Sequence, residues 1–306
     1  MLTTILVMIG TTFSYSSPLI YAGLGGVISE RSGVTNIGIE GMMTAGAIVA
    51  VIVGYYSGSP WLGFLAGGCM GMLISLLHAM ASISFHANQT VSGVAINFIG
   101  PGLALYLSRL FFNGATHTPP VPNKMPKILS FLFPEVTAPI AVALNQDIAV
   151  IFGFILVAVI WVLLNKTRLG LRIRSVGEHP SAADTLGINV YGIRYGCVLA
   201  SGFLSGLGGA TMTLSVVSAF SPTAISGQGF IALAAVIFGR WTPVGTCGAC
   251  LLFGFAQALV VQLSAGSVIN TKLLSMIPYL LTLVVLMTMR GGSSAPKADG
   301  VPYIKE

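Results

Sequence analysis

The chain has 306 residues and a formal net charge of +6, from 14 Lys and Arg against 8 Asp and Glu. Charged residues make up 7% of it and hydrophobic residues 55%, whereas a soluble domain carries roughly 25% charged residues. So few charges cannot cover a water-facing surface. This excludes an ordinary cytosolic enzyme, a disordered chain and a nucleic-acid-binding domain, and leaves an all-α polytopic membrane protein.

The charges are also clustered. None occurs from Met1 to Ser29, and between Glu40 and Arg109 only His78 and His86 interrupt the uncharged run. None lies between Arg194 and Arg240, or between Arg240 and Lys272. A span of hydrocarbon takes about 20 apolar residues, and in lipid the backbone must satisfy its own hydrogen bonds, so these runs are helices. No alternation of period two suggests a membrane barrel.

In chain order, Met1 to Ser29 reads as a retained first helix rather than a signal peptide, because it lacks a basic start and its apolar stretch runs too long. Residues 37–57 and 61–85 form the second and third spans, turned at Ser57-Gly58-Ser59-Pro60. The fourth is about 89–112. The polar stretch 113–146 follows, where Pro119, Pro120, Pro122, Pro126, Pro134 and Pro139 forbid a long helix. Its middle, Lys127 to Phe133, is predicted as a short surface helix. The fifth span is 147–165, a basic loop covers 166–194, and the sixth span is 195–217. Residues 229–239 are apolar but short, as in half of a broken helix. Spans 244–263 and 272–289 complete eight full spans plus one short one.

The segment 166–174 (KTRLGLRIR) carries four basic and no acidic residues. With the tail beyond residue 290 it is predicted to face the cytoplasm, and 113–146 the outside. Residues 1–290 are then one transmembrane domain and 291–306 a cytoplasmic tail. The net positive charge is read as loops that set orientation and touch membrane lipid, with no nucleic acid involved. Gly63, Gly67 and Gly71 on the third span, and Gly202 and Gly206 on the sixth, recur every four residues and predict close helix–helix approach.

Enzymatic signatures are missing. There is no GxxxxGK[ST], no HExxH and no GxSxG. His78, His86, His117 and His179 lack ligand spacing, and the CxxC at Cys247 and Cys250 has no second pair, so no metal site is expected. Glu30, Glu40, Glu135, Asp147, Glu178 and Asp184 fall at predicted span ends or in loops, which weighs against a proton-coupled carrier.

The most informative segment is the polar loop 170–190. Pro180 followed by Ser-Ala-Ala-Asp-Thr-Leu suits a short helix, with Ser181 and Asp184 placed for capping and the dipole, and Gly187 for a left-handed end. Such a helix either enters a groove on a partner or is only the tip of a topogenic loop.

The run VGEHPSAADTLGINV resembles the coupling loop of ABC importer permeases. Ala182-Ala183, three residues and Gly187 match its EAA-x3-G pattern, with Ser181 in place of the usual Glu. The segments 23–47, 89–107 and 227–254 resemble, in the same order, permeases of the branched-chain amino acid, ribose and nucleoside importer group, closest to nucleoside or simple-sugar members. In the last segment, Gly239-Arg240 stands where that group has paired glycines. The resemblance implies a chain that hydrolyses nothing and holds no cofactor, with ATP and Mg bound by a separate ATP-binding subunit. It further implies a second permease subunit, homologous or identical, an extracytoplasmic substrate-binding protein and a bacterial cell membrane location. Arg174, Glu178, His179, Ser181, Ala182, Ala183, Asp184 and Gly187 are then candidates for coupling to the ATPase.

Polar side chains within spans mark pathways because they are costly in lipid. Asn36, Glu40, Gln89, Ser92 and Asn97 are candidates. So are Ser226 and Gln228, which lead into the short segment whose N-terminus can offer free N–H groups. Phe98, Phe220 and Phe230 are candidates to stack on a nucleobase. The alternatives are interhelical hydrogen bonding for Asn97 and packing or lipid contact for the rings. The implied cargo is a nucleoside, with ribose-like sugars or branched-chain amino acids as alternatives. A self-contained ion-coupled carrier or channel is the alternative of another class.

Overall fold

The computed structural model describes residues 2–127, 145–264, 271–288 and 295–305. All but the first residue of the expected surface helix Lys127–Phe133, half of the polar stretch 113–146 and the start of the tail at 291–294 lie outside the described residues. Within them the chain is helical: α1 (Leu2–Arg31), α2 (Ile39–Ser57), α3 (Pro60–Ala79), α4 (Gln89–Phe111), α5 (Ile148–Lys166), α6 (Arg168–Glu178), α7 (Pro180–Thr185), α8 (Val190–Thr211), α9 (Gln228–Phe238), α10 (Pro243–Ser264), α11 (Thr271–Leu274) and α12 (Ile277–Thr288). Single π-helical turns extend α3 (Met80–Ser84) and α8 (Met212–Val216).

Seven of these helices, α1 to α5, α8 and α10, are long and apolar enough to cross a membrane. Local chemistry sets their starts. Pro60 opens α3, where its missing N–H is not needed. The side chains of Asn88, Thr167 and Asn189 accept from Val91, Gly170 and Gly192 and cap α4, α6 and α8. The Asn189 cap is why α8 begins five residues before the expected 195. The expected last span, 272–289, is instead split into α11 and α12. Pro278 stands at the second position of α12, where a proline is tolerated, but it cannot continue a helix arriving from α11.

Helices α8 and α2 are the innermost; α3 packs against both and α1 against α8, and α10 packs on α1. The glycine ladders sit where backbones touch. A Cβ on Gly71 would collide with the Gly202 carbonyl, and one on Gly206 with that of Gly67. Lipid is as apolar as leucine, so this contact area, rather than water exclusion, holds the helices together.

The bundle has two ends. At one end Glu30 and Arg31 finish α1 beside Trp241, and the basic α6–α7 segment lies there too. At the other, the extended stretch Thr118–Met125 runs along Leu214–Phe220, with backbone bonds from Thr118, Val121 and Met125 to Phe220, Ser218 and Leu214. Residues 220–241 pass from this second end to the basic end, so the short α9 completes a crossing that it cannot make alone.

Candidate functional site

Helix α2 begins inside the bundle rather than at its rim. The loop before it climbs. Asn36 Nδ2 donates to Ser201 Oγ at 2.9 Å, and Ser201 lies about 17 Å along α8 at 1.5 Å per residue. The N-terminus of α9 meets α2 at that depth. There Glu40 Oε1 accepts from the Gly227 N–H at 2.7 Å and Oε2 from the Gly229 N–H at 2.6 Å. Glu40 is buried. The N–H groups expected to be free for a ligand are therefore taken by Glu40. A carboxylate at a helix N-terminus is stabilised both by these bonds and by the dipole. Gly227 has φ +82, and its missing Cβ leaves room for the Tyr279 hydroxyl.

Beside this junction lies a cavity of about 210 Å³ lined by Tyr15, Ser226, Gln228, Gln257, Ser275 and Tyr279, with apolar residues of α9, α10 and α12. No lining residue is charged. Gln257 Nε2 donates to Gln228 Oε1 at 2.9 Å, which leaves the Gln228 amide N–H groups and the Gln257 carbonyl oxygen for a third partner. Tyr15 also lines a second cavity of about 390 Å³ toward the end opposite the basic one, with Thr11, Ser14, Lys124, Lys127, Gln146 and Asp147. The two cavities are thus neighbours along α1.

The remaining candidates are dispersed. Gln89 Oε1 accepts from the Thr35 N–H at 2.8 Å, and Ser92 Oγ lies 2.9 Å from His78 Nδ1. Asn97 Oδ1 accepts from the Gly41 N–H while its Nδ2 donates to the Ile37 carbonyl, which ties α4 to the start of α2. With Asn36, these three therefore brace the entry to α2. Phe98 is 76% exposed on the outer face of α4, and Phe220 is buried beside Thr118 at the far end. Phe230 is half exposed in the first turn of α9. Of the expected pathway residues, only Ser226 and Gln228 line the uncharged cavity. Tyr15, Gln257 and Tyr279 complete it and were not singled out from sequence. The signal for Gln257 was partly available, as one of two amides, with Gln262, in the mostly apolar α10.

At the basic end, α7 is a single short helix on the surface. It ends as expected at Gly187, φ +79, with bonds from Gly187 N to Asp184 O and from Ile188 N to Ala183 O. Its start differs from expectation. His179 is the N-cap and makes no side-chain cap bond, and Ser181 does not cap. Among α7 residues only Ala183 is buried. Asp184 is bonded to Tyr303 Oη at 3.1 Å and Lys305 Nζ at 3.2 Å. A cavity of about 330 Å³ opens next to it, lined by Arg172, residues 186–189, Gly192 and Ile193. Among the described residues no group of three His, Cys, Asp or Glu comes together to hold a metal.

This architecture has relatives. The chain is 44% identical to the guanosine ABC transporter permease protein NupQ of Bacillus subtilis, with 98% of this chain and 97% of the relative aligned. It is 41% identical to the nucleoside ABC transporter permease protein NupC of Lactococcus lactis, with 99% and 98% aligned. A solved metal-chelate-type ABC transporter in an inward-facing conformation shares the fold, at a TM-score of 0.53 and 15% identity over 93% of this chain and 86% of that one. The family described as the branched-chain amino acid transport system permease component matches residues 8–286. A chain matched over nearly its whole length, with broken helices meeting at mid-depth and a short helix at its basic end, belongs to that permease family.

Proposed function

We propose that this chain is the permease subunit of an ATP-driven importer of nucleosides in the bacterial plasma membrane. The single observation that carries the nucleoside reading is the cavity at the α2–α9 junction. It offers an amide donor, an amide acceptor and tyrosine rings, and no charge. A neutral base or ribose finds hydrogen-bond partners there. A free amino acid finds no counter-charge for its carboxylate or ammonium, and a nucleotide none for its phosphate. The identity to guanosine and nucleoside permeases supports the same reading.

The basic end then faces the cytoplasm, because KTRLGLRIR sits there. α6 and α7 stand at that end as the contact for a separate ATP-binding subunit, which holds ATP and Mg. Closure of the ATP-bound motor displaces α7, and the packed helices pass this to the α2–α9 junction. The larger cavity opens toward the outside, where a binding protein releases its cargo. A second permease chain completes the pathway.

The test is uptake of labelled guanosine or uridine by membranes carrying the whole transporter, with ribose and leucine as competitors. Gln228→Leu and Gln257→Leu should each raise the half-saturating nucleoside concentration about 10-fold or more, because a hydrogen-bonding pair is lost from an uncharged site. Unchanged nucleoside uptake in both variants, or competition by leucine alone, removes the reading.

A further inference from the structure

The segment Ala295–Lys305 does not trail from the bundle. It lies across the basic end and touches five parts of it. Ala298 N–H donates to the Gly177 carbonyl at the end of α6. Thr35 Oγ1 donates to Asp299 Oδ1 at 3.0 Å in the loop between α1 and α2. Arg194 Nη1 in α8 donates to the Val301 carbonyl at 3.1 Å. The Tyr303 carbonyl lies 3.2 Å from Tyr191 Oη and 3.1 Å from His86 Nε2, just before α4. The far end reaches α7, where Tyr303 Oη and Lys305 Nζ hold the two oxygens of Asp184. Tyr303 is buried with Val176, Ala183 and Val190.

Two facts make this arrangement mechanical. Apart from its chain neighbours α6 and α8, against which its one buried residue Ala183 packs, α7 is held by the bonds of Asp184 to the tail. The loop held by Asp299 leads directly to the cavity: Thr35 N–H bonds Gln89, its carbonyl lies 3.2 Å from His78 Nε2, Asn36 bonds Ser201, and Glu40 holds α9. Hydrogen-bonded and packed contacts thus run without a break from α7 to the mouth of the Gln228–Gln257 cavity.

We propose that the C-terminal segment is a strut that carries displacement of α7 to the α1–α2 loop, with Tyr303 and Asp299 as its positioning residues. The inference rests on α7 being the element that meets the ATP-binding subunit. A strut differs from a docking surface in what its loss does. The motor still assembles and turns over, but its stroke no longer reaches the pathway.

The experiment uses the complete transporter in liposomes, and reads nucleoside imported per ATP hydrolysed. A stop after Lys297 removes the strut. Tyr303→Phe and Asp299→Ala keep the segment but delete the hydroxyl bond to Asp184 and the acceptor for Thr35 respectively, so they report even if the truncated chain fails to fold. The truncation should leave ATP hydrolysis within about 2-fold of wild type while the import-to-ATP ratio falls about 5-fold or more, the range of an ordinary coupling free energy. The point variants should lower the ratio by smaller steps, and Tyr303→Phe should leave assembly intact. A wild-type ratio in all three variants overturns the strut. So does loss of the ATP-binding subunit from the truncated complex, which would make the segment a docking element. A wild-type transporter whose uptake ignores ATP removes the transport reading itself, and the strut with it.

Discussion

At the scale of the residue, Glu40 shows how a charge can be both buried and structural. It sits in the first turn of α2, as its sequence position suggests, yet that turn lies deep in the bundle. Its two oxygens satisfy two N–H groups at the start of α9. Glu40→Gln keeps the shape but leaves one acceptor for two donors. It should destabilise the protein by about 2 kcal/mol, the worth of a charge-assisted bond, and abolish uptake; a thermal shift in detergent together with a transport assay reads both.

Arg240 is the converse case. It has φ +52 where the family pattern has glycine, and its side chain is exposed. The left-handed conformation costs a residue with a Cβ about 1–2 kcal/mol, while glycine loses about 0.4–1 kcal/mol in unfolded-state entropy. The bond from Arg31 to the Arg240 carbonyl uses backbone and survives substitution. Arg240→Gly should therefore stabilise the protein by about 0.5 kcal/mol, seen as a small rise in melting temperature. A fall would mean that the Arg240 side chain holds something.

Asp299 ties the residue scale to pH. Burial pushes its carboxyl up to about 6, against the pull of Thr35, the Gly300 N–H and Arg194. A carboxyl raised above its unfolded value contributes most stability below about pH 4 and loses it as pH rises through about 6. Wild type should thus gain stability over Asp299→Asn as pH falls from 7.5 to 5. If the burial of Asp299 has no effect, the gap between the two melting temperatures stays constant across that window.

At the scale of the element, most helices were legible because their signals are local. Uncharged runs gave the spans to within a few residues, Pro60 and Gly187 gave boundaries, and the glycine ladders marked faces of close approach, which the fold pairs between α3 and α8 at Gly71 and Gly202 and between α3 and α2 at Gly63. Gly187→Ala tests one boundary cleanly. A Cβ there meets nothing within 4 Å, so only the φ of +79 resists it. About 1 kcal/mol of strain is expected at the end of α7, with ATP-coupled uptake reduced more than overall melting. Gly206→Ala is harsher, because the Gly67 carbonyl occupies the space. It should cost about 1–3 kcal/mol and lower the yield of monodisperse protein. The split between α11 and α12 was missed, since hydropathy runs through it and only Pro278 marks the break.

At the scale of the whole molecule, the candidate site is a product of tertiary structure. Ser226 and Gln228 were visible as polar residues near a short apolar segment. Tyr15, Gln257 and Tyr279 come from α1, α10 and α12, and nothing in their neighbourhoods says that they meet. Asn36, Gln89, Ser92 and Asn97 were equally visible, yet they brace the loop into α2 rather than line the cavity. The tail gave no more sign, since Thr35, Arg194 and Asp184 are far from it in sequence and converge on it only in the fold.

The sequence by itself determined that this is a helical membrane protein, where its spans lie and to which permease group it is similar. Those features follow from charge scarcity, run length and short motifs, which are properties of neighbouring residues. Only the tertiary structure decided which polar groups share a cavity, that α2 and α9 meet end to end at Glu40, and that the tail grips α7. The physical reason lies in the solvent. In water a helix shows its buried face by its apolar stripe, but in lipid both faces are apolar, so the pattern does not report which side chains turn inward.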